Sequence, residues 1–283
     1  MLFGISLFVT RDTLRPDELA VAAEEREFES LWLPEHSHIP ISRNTPWGGV
    51  PGAAPLPPKY WKTFETFVSL GAAAAVTSRI KLASGITLLA QRDPIWTAKE
   101  VATIDQLSNG RMIFGVGYGW NREEMASHGV RYQERRQIVA EKLEMIRSIW
   151  TEEVASFQGI TQSLEPSWAE PKPVQKPHPP IHLGAGAGPR TIADLVKFCD
   201  GWIPLGRHDL AGTIHQVREA IEQAGRDPSS LQVSYWTTQP DADRVAELKR
   251  LGVDRIVIAL ETDPPAEIIK NLDRFALLAA GTR

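Results

Sequence analysis

Eight short apolar runs, each followed by a stretch with helical periodicity, constrain this chain more than any other feature. They are FGISLF (3–8), SLWLP (30–34), IKLASGI (80–86), MIFGVG (112–117), PIHLG (180–184), GWIPL (201–205), LQVSYW (231–236) and RIVIAL (255–260). Runs of this length, rich in branched and aromatic residues, read as buried strands. Two of the helical intervals are plain: Val139, Leu143, Ile146 and Trp150 share one face, as do Leu210, Ile214, Val217 and Ile221. Strict alternation predicts a parallel sheet covered by helices. Eight such units in 283 residues fit an α/β fold, a single (β/α)8 TIM barrel domain over 1–283, because such barrels take about 250 residues. An open, doubly wound sheet is the alternative; the number of units and the length favour closure.

Two stretches interrupt the rhythm. Residues 36–60, HSHIPISRNTPWGGVPGAAPLPPKY, are rich in proline and glycine and follow the second strand. Residues 151–179 precede the fifth strand and carry PKPVQKPHPP. Long loops in a compact domain are commonly functional. The first leaves the carboxyl end of a strand, where barrel active sites lie, and is expected to be a lid or pocket wall. The second is expected to reach over the top of the barrel.

Charge and cysteine content narrow the partners. A net charge of −4 argues against nucleic acid or an anionic membrane as a general partner. Cys199 is the only cysteine, which excludes an internal disulfide and any cysteine-rich metal site. The opening MLFGISLFVTRD lacks a basic leader, and its apolar run is too short for a signal or a span. The expectation is a cytoplasmic protein acting on a small molecule.

Residues at strand ends face the substrate in a barrel. Here they are Glu35 and His36, then Ser84, Gly85 and Ile86, then Gly117, Tyr118 and Trp120, then Gly184, Ala185, Gly186, Ala187 and Gly188. Glu35 and His36 bring a carboxylate and an imidazole to one strand mouth, although adjacent residues need not face one another. The stretch GRMIFGVGYGW (110–120) does not satisfy the dinucleotide fingerprint. That motif needs G-x-G-x-x-G opening a helix and an acid about 20 residues on; here that position lies within a helical pattern. Gly115 and Gly117 instead admit a close neighbour, a planar ring or another backbone. Asn121 and Glu124 fit an N-cap and capping box, which would hold Tyr118 and Trp120 at the mouth. GAGAGPR (184–190) joins a strand to a helix and suits an anion, with Arg190 nearby.

The run AxSGITLLAQRDPIWTAKEVATIDQLSNGRMIFGVGYGWNREE, with PKPVQKPHPPIHLGAG and CDGWIP further on, resembles the luciferase-like monooxygenase superfamily. It is most similar to the branch that uses the deazaflavin coenzyme F420. The resemblance implies a barrel that cradles the ring against the third strand, at a bulge with a non-proline cis peptide aligned with Gly85–Ile86. It also implies that Glu35 and His36 are the carboxylate–histidine pair beside the ring, and that residues 184–188 bind the phosphate. Some deazaflavin dehydrogenases carry a catalytic glutamate where this chain has Trp120, so sugar-phosphate dehydrogenation does not follow. The expected activity is hydride transfer between F420 and a small organic substrate, with no metal. An FMN-dependent monooxygenase and a non-catalytic cofactor carrier are the alternatives, and a homodimer is a further expectation.

Overall fold

The eight apolar runs become the strands of one closed barrel. In the computed structural model, which describes residues 1–206 and 209–282, these are β1 (Leu2–Ser6), β2 (Ser30–Leu33), β3 (Lys81–Ser84), β4 (Met112–Gly117), β7 (Ile181–Ala185), β8 (Gly201–Pro204), β9 (Gln232–Thr237) and β10 (Arg255–Ala259). All pair in parallel, in the order β1-β10-β9-β8-β7-β4-β3-β2. Helices follow each strand: α1 (Pro16–Glu25), α2 (Lys59–Lys62) and α3 (Thr66–Val76), α4 (Pro94–Leu107), α5 (Arg122–Ser127) and α6 (Arg135–Thr151), then α7 (Pro189–Phe198), α8 (Leu210–Gln223), α9 (Ala242–Arg250) and α10 (Pro265–Thr282). The sheet is closed, so the doubly wound alternative falls.

Strand alternation sends one set of side chains inward and the other under the helices. Trp32, Ala83, Ile113, Ile203 and Val257 fill the barrel, with Ile86 and Trp236 packed above them. The larger outer core includes Leu31, Leu82, Phe114, Trp150 and Trp202. Arg255 is fully buried at the base of the barrel, where two nitrogens donate to Glu29 at 2.8 Å and a third to Ser234 Oγ at 3.0 Å.

The segment 151–179 departs from expectation. It forms an antiparallel hairpin, β5 (Ala155–Gln158) and β6 (Ser163–Ser167), that packs along α6 instead of crossing the mouth. Glu141 of α6 grips its turn by accepting from the amides of Ile160, Thr161 and Gln162 at 3.0, 2.7 and 3.0 Å. Further on, Lys172 Nζ donates to Ile149 O at 2.7 Å, and Gln175 bonds to Asp105 and to Met112 O at the start of β4. Among the described residues no helix is long and apolar enough to cross a membrane.

Candidate active site

The alternating glycines of β4 exist to admit β3. Beyond Ser84 the chain bulges through a cis Gly85–Ile86 peptide and rejoins β4 at Thr87. Thr87 N donates to Gly115 O at 2.8 Å, and Gly117 N returns a bond to Thr87 O at 3.0 Å. Ser84 Oγ also donates to Gly115 O, at 2.8 Å. A Cβ at Gly115 would fall on the Ser84 carbonyl, and one at Gly117 on Ile86 Cδ1. A Cβ at Gly184 would stand 2.8 Å from the same Ile86 atom. The missing side chains of Gly117 and Gly184 thus make a slot that fixes Ile86 at the mouth, and that of Gly115 admits the Ser84 carbonyl.

Beneath it, Trp236 meets Trp32 edge-on at 5.9 Å, and its buried Nε1 has no partner among the described residues. His182 lies 5.7 Å from Trp32. Burial, aided by Arg255, pushes its imidazole down to about 3, so it is neutral.

On one rim stands His36. Its Nδ1 lies 2.8 Å from Glu124 Oε2, and both side chains are nearly inaccessible. The ring packs 5.0 Å from Tyr60 and 5.8 Å from Trp120. The insertion after β2 builds this aromatic wall, because Trp47 Nε1 donates to the Tyr60 hydroxyl at 2.8 Å. Glu123 anchors the same insertion, accepting from Asn44 N at 2.8 Å and Thr45 Oγ1 at 2.6 Å. The 36–60 segment therefore forms part of the wall of the mouth.

Glu35 does not join His36. Its carboxylate accepts from Arg92 Nε at 2.9 Å and from Leu88 N at 3.2 Å. Arg92 also pairs with Glu65 and with Glu100. Burial pushes the Glu35 carboxyl up, against the pull of Arg92. Glu35 thus braces the turn after β3, and the acid on His36 is Glu124. The expected capping box is half right: Asn121 accepts from Glu124 N at 3.5 Å, but the Glu124 side chain turns inward to His36 and Ser37.

The opposite rim is open. Gly184 and Ala185 end β7 inside the core, Gly186 and Ala187 are exposed, and Gly188 caps α7. A Cβ at Gly188 would meet nothing within 4 Å. Arg190 is exposed here, and Arg136 reaches the first turn of α7, donating to Thr191 Oγ1 at 3.3 Å. Arg136 was not among the expected site residues. Its signal was two adjacent arginines opening a helix, where the dipole disfavours cations. Tyr118 is a correction: its ring lies under Arg136 at 4.0 Å and its hydroxyl bonds to Asp194. The tyrosine side chain belongs to the layer between barrel and helices, while Trp120 stays at the mouth.

The profile of the luciferase-like monooxygenase family matches residues 14–255. The chain belongs to this family. An uncharacterized protein of Mycobacterium tuberculosis is 37% identical over 278 residues, covering 98% of both chains. Among solved structures, the monooxygenase RslO1 from Streptomyces bottropensis superposes with a TM-score of 0.79 at 18% identity, covering 98% of each chain. An F420-dependent secondary alcohol dehydrogenase, crystallised with an F420–acetone adduct, gives 0.77 at 18% identity over 100% of each. These two likenesses establish the shared barrel. Among the described residues, no cluster of three or more histidine, cysteine or acidic side chains is placed to hold a metal.

Proposed function

We propose that this member of the luciferase-like family is an F420-dependent oxidoreductase, transferring hydride between the deazaflavin and a small organic substrate. The observation that carries the reading is the convergence of a fixed apolar ledge and a polarised imidazole at one barrel mouth. Ile86 sits in its glycine slot, and His36 is held by Glu124 beside Trp120 and Tyr60. When bound, the deazaflavin supplies a ring carbon that accepts or gives hydride.

The protein's residues fit such a group. Ile86 would lie against the ring, and Trp120 and Tyr60 would wall the substrate and exclude water. Residues 184–188, at the start of α7, would hold the phosphate with Arg136 and Arg190 nearby. Arg136 Nη1 is buried 3.7 Å from Asp194 Oδ2, so Arg190, which is exposed, is the cation free to meet an anion at this end. His36 would hold or release the substrate proton.

The full-length likeness to an F420-dependent alcohol dehydrogenase and the sequence similarity to the deazaflavin branch support F420. The likeness to a monooxygenase keeps FMN and oxygen chemistry as the second reading. Fluorescence-quenching titration of the purified chain separates them: tighter binding of oxidised F420 than of FMN is expected. The reverse order would replace the proposal with the monooxygenase reading. A homodimer belongs to the same proposal, supported by exposed Val68, Trp96 and Leu107 on α3 and α4; a monomer in sedimentation equilibrium would remove it.

A further inference from the structure

Glu124 has two oxygens and two distinct tasks. Oε2 faces His36 Nδ1 at 2.8 Å, while Oε1 accepts from the Ser37 amide at 3.2 Å. The Ser37 hydroxyl approaches the same Oε1 at 3.5 Å. Glu124 itself is fully buried, as the third residue of α5, and its backbone is tied to the Asn121 cap. An ionised carboxylate only accepts hydrogen bonds. The hydrogen shared with His36 must therefore sit on Nδ1 when the imidazole is neutral. Nε2 has no hydrogen-bond partner among the described residues.

The geometry points to Glu124 as the positioning residue that fixes His36 in its Nδ1–H tautomer, leaving the Nε2 lone pair as the proton acceptor of the mouth. The chemical consequence rests on the hydride-transfer reading above; the tautomer itself depends on no cofactor. In the oxidising direction, the substrate O–H bond breaks and its proton goes to Nε2. The hydrogen of the adjacent C–H bond would go with its electron pair to a bound deazaflavin, and the O–H electrons would complete the carbonyl. The resulting imidazolium keeps its Nδ1–H on Glu124, which offsets the new charge. Reduction runs the same transfers backwards, with Nε2–H as the acid.

Glu124→Gln gives a test that depends on hydrogen placement alone. The Ser37 amide still needs an acceptor, so the glutamine oxygen remains on it and the NH2 turns to His36. That group donates, which makes Nδ1 the acceptor and moves the imidazole hydrogen to Nε2. The measurement is nitrogen NMR of the full chain labelled with 15N-histidine, at a pH of about 8.5, where a histidine of ordinary pKa is neutral. A His36→Asn spectrum assigns the resonance.

Wild type is expected almost wholly in the Nδ1–H form, and Glu124→Gln in the Nε2–H form. An Nε2–H tautomer or a doubly protonated ring in wild type would overturn the inference, as would Nδ1–H surviving in a folded Glu124→Gln. The wild-type spectrum decides alone should the variant not fold. Failure to bind any deazaflavin, with the tautomers as stated, would sink the proposed function and leave this assignment standing.

Discussion

The two rims of the barrel mouth are built in opposite ways. On the β3–β4 side the glycines lack side chains because Ser84 and Ile86 occupy the space. On the β7–α7 side, beyond the strand, Gly186 is exposed and a Cβ at Gly188 would meet nothing within 4 Å. The first set fixes the geometry of the protein itself; the second leaves exposed the backbone that the proposed function assigns to the cofactor phosphate. Glycine therefore carries two different messages within one sheet, and only the neighbours tell them apart.

The same substitution on each rim should break this comparison if it is wrong. Gly115→Ala drives a Cβ into the Ser84 carbonyl, a backbone atom that cannot swing aside. We expect a loss of at least about 3 kcal/mol, the upper end for overpacking, read from urea denaturation midpoints. A loss under about 1 kcal/mol would mean that β3 and β4 can separate cheaply. Gly188→Val, by contrast, should leave folding intact and weaken F420 binding by about tenfold, or roughly 1.4 kcal/mol. Unchanged affinity would reduce the α7 entrance to a plain turn.

A third expectation concerns the hairpin, which lies on neither rim. Burial raises the Glu141 carboxyl, but bonds from Gln137, Thr161 and the turn amides outweigh it and hold the group down at about 2. Its folded value lies below its unfolded one, so its contribution is present above about 4.5 and is lost as pH falls toward 2. Protection of the Ile160, Thr161 and Gln162 amides, relative to their intrinsic exchange rates at each pH, should fall over that window while the barrel amides stay protected. Uniform exchange across the molecule would show that the hairpin and barrel open together. The smallest effect expected is from Gly188→Ala, a stability change within about 0.5 kcal/mol by the same denaturation assay.

The barrel was legible because strands buried on both faces, as most of the eight are, leave short continuous apolar runs such as RIVIAL. The hairpin was not, because ASFQ and SLEPS are half polar and rest on a helix rather than in the barrel. At the site, His36 and Ile86 could be placed from strand ends alone. Glu124 could not: its spacing from Asn121 satisfied a capping rule, and sequence spacing cannot say which way a side chain turns from the first helical turn. Tyr118 failed for a related reason. Alternation puts Gly117 inward and its neighbour outward, so a tyrosine one residue later belongs under the helices.

The short helix α5 has a consequence for how this protein can diversify. Glu123 holds residues 44–45 and Glu124 holds residues 36–37, so two adjacent side chains moor the start of the insertion at two points. Everything from Pro46 to Pro58 is strung between that mooring and the Tyr60 ring. This span can lengthen, shorten or change composition while the imidazole keeps its place. Under the proposed function, substrate choice and proton chemistry would be separable, and exchanging residues 48–58 between relatives, which spares the Trp47–Tyr60 bond, should alter the first without disturbing the second.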